Sequence, residues 1–145
     1  MVSDLALLSL QRSIVNVIEK SDWKVKGMPL KLRTTVALNR DFSASEIDVM
    51  RRGHFPQEMS DHWFMYWSKD RLYMHRSWGG SCIYVIKFVP NGDGYRMTEA
   101  LVNRNPKQYG ETRDEVDVKE ISELIDDVLL MWGDRIPECV PTRFK

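Results

Sequence analysis

The sequence predicts an α+β fold: a four- to five-stranded, mainly antiparallel sheet packed against N- and C-terminal helices. Three observations carry that expectation. Residues 62–102 contain four short runs rich in aromatic and β-branched side chains, separated by brief turn-forming stretches. The segments on either side repeat apolar residues at helical spacing. Finally, 145 residues suffice for one domain with a real core, so residues 1–145 read as a single domain.

Leu7, Leu10, Ile14, Val17 and Ile18 recur on one helical face, which predicts an amphipathic helix over residues 4–20. The following "SDWKVKGMPLKLRTTVAL" is interrupted by Gly27 and Pro29. Its alternating Leu30, Leu32, Thr34 and Val36 predict one short edge strand. Ser43 followed three residues later by Glu46 is a capping-box pattern, and Gly53 offers a stop, so residues 44–52 read as a short helix.

Strands are expected over residues 62–68, 72–78 and 82–89, joined by the hairpin-length separators "KDR" and "GGS". "PNGDG" then turns the chain into a fourth strand, "YRMTEALV", completing an antiparallel meander. The last helix carries Val118, Ile121, Ile125, Val128 and Trp132 on one face. Asp117 is its expected cap, and Glu120, Glu123, Asp126 and Asp127 cover the other side. Residues 136–145, "IPECVPTRFK", read as a C-terminal tail.

Charge and composition narrow the function classes. The 21 basic residues equal the 21 acidic ones, so the excess positive charge that drives phosphate-backbone binding is missing and no nucleic-acid partner is expected. The balance is uneven along the chain: residues 1–110 hold 16 Lys and Arg against 11 Asp and Glu, and residues 111–145 hold 5 against 10. A mildly basic body facing an acidic final element suits an internal contact or a charged ligand. Cys82 and Cys139 form no CxxC pair, the N-terminal stretch lacks an export signature, and no run of 18 apolar residues occurs. A cytoplasmic protein with reduced thiols and no membrane association is the expectation.

Residues 62–88 concentrate three of the five Trp, two of the three His and one of the two Cys. Period-2 geometry places Trp63, Met65 and Trp67 on one face of the first strand and His62, Phe64 and Tyr66 on the other. Both faces are apolar. That calls for helices on both sides, a ligand pocket, or self-association through the exposed face. Tyr73, His75, Ser77 and Tyr84 are expected on a common face, as polar groups within aromatic walls, with Leu72, Met74, Arg76 and Trp78 on the other face of the second strand. Arg76 points the opposite way on a regular strand. Gly79 and Gly80 could turn peptide N–H groups toward an anion that Arg76 neutralises.

Familiar site signatures are missing. There is no phosphate-loop G-x-x-x-x-G-K-[ST], no G-x-G-x-x-G, no H-E-x-x-H and no EF-hand spacing, so no cofactor or metal is expected. His54, His62, His75, Cys82 and Cys139 lack ligand spacing for zinc. Ser77 lies two residues from His75 on a strand, roughly 7 Å away and too far for a nucleophile–base pair. His75 acting alone as general acid or base, oriented by Glu58, Asp61 or Glu99, is the catalytic candidate.

Within residues 61–88, Leu72, Tyr73, His75, Arg76, Ser77, Trp78 and Gly80, followed by Ile83, Tyr84 and Phe88, form an LYxHRSWxG…IYxxxF string. This resembles an uncharacterised family of small bacterial proteins. The resemblance implies a setting beside nucleotide- or ADP-ribose-processing domains and carries no catalytic role. The leading expectation is a ligand-binding or accessory domain for a phosphate-containing or nucleotide-like anion, with Trp67, Tyr73, Arg76, Ser77, Trp78, Gly79, Gly80 and Tyr84 as contacts. A hydrolase using His75 and an interaction domain pairing through the aromatic sheet face are the alternatives.

Overall fold

The computed structural model describes residues 17–131 and 137–144. Five strands, β1 (Arg33–Phe42), β2 (Trp63–Ser68), β3 (Arg71–Arg76), β4 (Cys82–Asn91) and β5 (Gly94–Asn103), form one sheet in the order β1-β5-β4-β3-β2. Every neighbouring pair is antiparallel. Two helices, α1 (Ala44–Met50) and α2 (Asp114–Leu124), pack on one face, and α2 continues as a π-helical segment, Ile125–Leu130. The fold is therefore α+β, a five-stranded antiparallel sheet against two helices. Among the described residues no helix is long and apolar enough to cross a membrane.

Local chemistry accounts for the meander. Lys69 and Asp70 both take positive φ, 50° and 59°, making the two-residue turn whose twist matches the flanking strands. β4 and β5 are joined just as tightly through Gly92 and Asp93, with Asn91 opposite Gly94. At α1 the capping box forms as its sequence pattern predicts. Ser43 Oγ accepts the Glu46 N–H (3.2 Å), and Glu46 Oε1 accepts the Ser43 N–H (2.9 Å).

Four boundaries differ from the sequence expectation. Of the helix expected over 4–20, residues 4–16 lie outside the described residues, and Val17–Glu19 are not helical. The Ile18 N–H donates to the Arg52 carbonyl instead, and Lys20–Asp22 form one 3-10 turn. Among the described residues the two helices against the sheet are α1 and α2. The edge strand β1 runs ten residues, well beyond Val36, because it pairs with β5 at both ends, with a register shift between Ala37 and Arg40.

β3 ends at Arg76, so Ser77 and Trp78 are turn residues rather than strand residues. The Ser77 N–H still bonds the His62 carbonyl at 2.8 Å, one position past the Trp63–Arg76 pair, before the chain turns. Finally, α2 starts a turn early. Arg113 precedes it, with Glu111 accepting the Arg113 N–H, and Asp117 is a buried interior residue rather than the cap. The face turned inward is Asp117, Ile121, Ile125 and Leu129, while Val118 is exposed. Trp132 lies outside the described residues.

The main core fills the helix-covered face. Met65 (β2), Leu72 and Met74 (β3), Tyr84 and Ile86 (β4), Ala100 and Val102 (β5) meet Ile47 and Met50 of α1 and Ile121 and Ile125 of α2. A smaller cluster covers part of the opposite face. There Phe64 and Tyr66 lie under Ile18, Trp23, Val25, Phe55 and Phe144. The C-terminal tail is thus docked, and Arg143 holds it by a two-pronged ion pair to Asp22 (2.6 and 2.8 Å). The sheet's aromatic residues serve mostly as packing.

Candidate functional site

A polar cluster lies where the end of β3 and the start of β4 meet the N-terminal half of α2. Trp63 and Arg76 are cross-strand partners, so their side chains emerge on the same face. The Arg76 guanidinium sits 4.5 Å from the Trp63 ring centroid and 6.0 Å from that of Tyr109. Tyr84, on β4, stacks on Trp63, the ring centroids 6.1 Å apart and the planes inclined by 14°.

Behind these rings the hydroxyls of Tyr84 and Tyr109 lie 2.7 Å apart, and both reach Asp117 Oδ1, at 3.0 and 2.7 Å. Arg104 closes on Asp117 Oδ2 and also holds Asp114 Oδ1 at 2.8 Å. Asp117 has no exposed surface, yet each of its oxygens has a donor, which is what a buried carboxylate requires. Burial pushes both phenols far above their ordinary range, so Tyr84 and Tyr109 act as hydrogen-bond donors, not as bases.

Glu120 lies three residues beyond Asp117 and therefore on the same side of α2. Burial raises its carboxyl above the usual range. The Arg76 charge and the Tyr84 hydroxyl pull it back, while the negative charges of Asp117 and Glu111 push it up. The net effect favours the acid form more than in an exposed glutamate.

Arg76, like Arg51 over Trp67 and Tyr95, is set against aromatic rings with no ion pair to a carboxylate among the described residues. Arg40, Arg96, Arg104, Arg113 and Arg143 are each matched by a carboxylate. Among the described residues no acceptor takes a hydrogen bond from the Arg76 guanidinium, which is half-buried and set against the Trp63 and Tyr109 rings.

The other residues singled out from sequence are dispersed. Tyr84 pairs with Met74, and the extra residue Ile83 shifts the register so that Cys82 pairs with His75. Tyr84 therefore faces the helices, and the common face expected for Tyr73, His75 and Tyr84 does not exist. Tyr73 stacks on Tyr66 across the sheet (4.6 Å, 3°) on the opposite side. Trp67 lies at the far end of β2, against Phe88 and Tyr95. Ser77 Oγ donates to the Asp61 carbonyl (2.8 Å), and Trp78, largely exposed, reaches the Met59 carbonyl.

Gly79 and Gly80 both take positive φ, as the turn demands. Gly80 is buried against residues 24–25. A Cβ there would come within 2.3 Å of the Lys24 carbonyl oxygen, and the Gly80 carbonyl accepts the Lys26 N–H at 2.9 Å. Close backbone packing explains the second glycine.

His75 is 2% exposed, with its ring beside Phe64 and Tyr66. Nδ1 lies 3.0 Å from the Gly80 carbonyl, which assigns the proton to Nδ1; among the described residues Nε2 has no hydrogen-bond partner. Burial, helped by the Lys20 charge, lowers its pKa and keeps the ring neutral. None of the carboxylates proposed to orient it does so. Asp61 binds His54 Nε2 (2.6 Å), Glu99 faces Lys87, and Glu58 bonds Ser60. Among the described residues no group of three or more His, Cys, Asp and Glu side chains is arranged to hold a metal.

Comparison with known proteins finds no matching family model, curated protein or solved structure. The string resemblance over residues 61–88 thus assigns no family, and the site's own chemistry carries the functional argument. Tyr109 escaped the sequence reading as a site residue. Asp117 and Glu120, three residues apart, offer a visible carboxylate pair, but hydrated carboxylates on an exposed helix are far commoner than a site.

Proposed function

We propose that this chain is a small anion-binding domain of the cytoplasm, with Arg76 as the group that receives a phosphate-containing or carboxylate ligand. The carrying observation is the state of Arg76. Its planar guanidinium is held against Trp63 and beside Tyr109, and among the described residues its donors meet no hydrogen-bond acceptor. Stacking orients the fork in advance, which reduces the ordering cost of binding, and a guanidinium matches two oxygens of one oxyanion at once. Tyr84, buried behind it, supports the platform.

A hydrolase working through His75 has less support. That side chain is enclosed, neutral and on the sheet face opposite Arg76, so one ligand does not reach both from the same side. The test is a thermal-shift panel of inorganic phosphate, nucleotides, ADP-ribose and sugar phosphates on the wild type and Arg76→Ala. Stabilisation by one or more anions that disappears in the variant supports the proposal. Equal stabilisation of both proteins, or none of either, overturns it.

A further inference from the structure

One end of the sheet gathers most of the large apolar side chains that the fold leaves in solvent. Among the described residues these are Leu30, Leu32, Met59, Trp78, Val118 and Met131. The first four all sit at the end where β1, β2 and β4 begin and β3 and β5 finish. Hydrogen bonds tie their loops into one rim. The Leu32 carbonyl accepts the Arg104 N–H (2.8 Å), beside Asn103, whose side-chain amide donates to the Cys82 carbonyl (2.9 Å). The Gly80 carbonyl accepts the Lys26 N–H (2.9 Å). Two residues before Gly80, the Trp78 indole N–H donates to the Met59 carbonyl (3.2 Å).

The same rim is basic. Residues 24–33, "KVKGMPLKLR", hold four Lys and Arg and no Asp or Glu. Lys24, Lys26, Lys31 and Arg33 are all exposed, and no ion pair among the described residues includes them. Nearby carboxylates are taken by other cations: Asp22 by Arg143, Asp61 by His54, and Asp114 and Asp117 by Arg104. Glu58, exposed and bonded to Ser60, is the acidic side chain left on these loops.

Two features select the partner. The apolar groups stand on separate projections rather than in one packed patch. Leu30 is 83% exposed in a bend, and Trp78 is 63% exposed in the turn over residues 77–80, where nothing lies within 4 Å of a Cβ built at Gly79. Separate projecting side chains suit shallow insertion into a fluid layer better than close packing against another protein. The surrounding cations are mostly lysines, which are depleted at protein interfaces and attracted to anionic lipid headgroups. An indole, apolar in its body and polar at its N–H, is enriched at headgroup depth.

We infer that this rim docks the protein peripherally on an anionic lipid surface, with Leu30, Met59 and Trp78 entering the headgroup layer and Lys24, Lys26, Lys31 and Arg33 meeting lipid phosphates. The contact uses residues outside the Arg76 cluster, so it stands or falls separately from the anion reading. It departs from the absence of membrane association expected from the sequence. That expectation followed apolar runs along the chain, whereas these side chains converge from three loops.

Co-sedimentation with vesicles tests the rim, using phosphatidylcholine alone and equal parts of phosphatidylcholine and phosphatidylglycerol. The wild type is expected to sediment with the mixed vesicles, to stay in solution with the neutral ones, and to be released by salt. Lys24→Ala combined with Lys26→Ala should weaken binding about thirtyfold, for two charges removed. Leu30→Ser combined with Trp78→Ser should weaken it about tenfold or more. These four positions are exposed, so both double variants should melt near the wild type. Arg76→Ala should bind the mixed vesicles as the wild type does. Undiminished binding in both double variants overturns the rim, and so does loss in Arg76→Ala alone, which would place the headgroup at the Arg76 cluster. No sedimentation with either vesicle also overturns it and leaves the anion reading to its own panel.

Discussion

Arg76 and Trp63 face each other across the β2–β3 ladder, and the guanidinium of the first lies 4.5 Å from the ring centroid of the second. The contact is set by strand register, so it exists before any ligand arrives. It also depends on a flat, delocalised cation. Lysine keeps the charge but loses both the stacking plane and the two-pronged donor geometry. Arg76→Lys is therefore expected to retain weak anion binding, with affinity between those of the wild type and Arg76→Ala, while melting within a few degrees of the wild type. Calorimetric titration with sulfate and a thermal melt check both halves; wild-type affinity in the lysine protein would show that simple charge suffices.

Asp117 tests the network behind that contact. It is fully buried and receives Tyr84, Tyr109 and Arg104. Asp117→Ala leaves a nearly buried guanidinium without its inner partner, a change that costs about 3–5 kcal/mol. Asp114 holds the same arginine from a largely exposed position, and Asp114→Ala is expected to cost about 1 kcal/mol or less. Urea denaturation of the two variants should separate them clearly. Equal losses would mean that the network contributes little to stability.

His75 makes stability depend on pH in a definite direction. Its folded pKa lies below the ordinary value of 6.5, chiefly because burial disfavours the charged ring. The unfolded chain therefore binds the proton first as the solution is acidified. The stability contributed by the neutral ring is complete above pH 6.5 and falls as pH drops from there toward the folded value, by up to about 1.4 kcal/mol per pH unit. Asp22, Asp41 and Asp61, all held below 3.8, act only in more acidic solution. Glu120, raised above 4.5, works with the opposite sign. Denaturation midpoints across this range should show a shallower acid loss in His75→Gln than in the wild type, and parallel curves would exclude His75 as the source.

The two cysteines are expected to react at very different rates. Cys82 is 2% exposed, and burial pushes its thiol up to about 12, although the Lys20 charge opposes the shift. Cys139 is exposed, with its thiol near the Gln57 carbonyl at 3.2 Å. A disulfide reagent added to the native protein at neutral pH should modify one thiol rapidly, and Cys139→Ser should abolish that phase. Cys82 should react only after denaturant is added, because the thiolate is the reacting form. Rapid modification of both in the native state would contradict the enclosed position of Cys82.

Much of the architecture is written locally. The Ser43–Glu46 capping box, the "PNGDG" turn and the alternating runs of residues 62–102 each name their element within a few residues of themselves. The strand faces of β2 could likewise be assigned by counting in twos. The site could not. Whether Tyr84 lies beside His75 or beside Met74 depends on Ile83, an extra residue in the ladder that alternation along β4 alone does not reveal. Whether Asp117 is a hydrated helix carboxylate or a buried one depends on Tyr84, Tyr109 and Arg104, which reach it from other segments. Secondary structure follows from each residue's backbone preference and its near neighbours. Register and polar burial are decided by long-range packing, where one inserted residue turns a side chain to the other face, and a distant arginine makes an interior carboxylate stable.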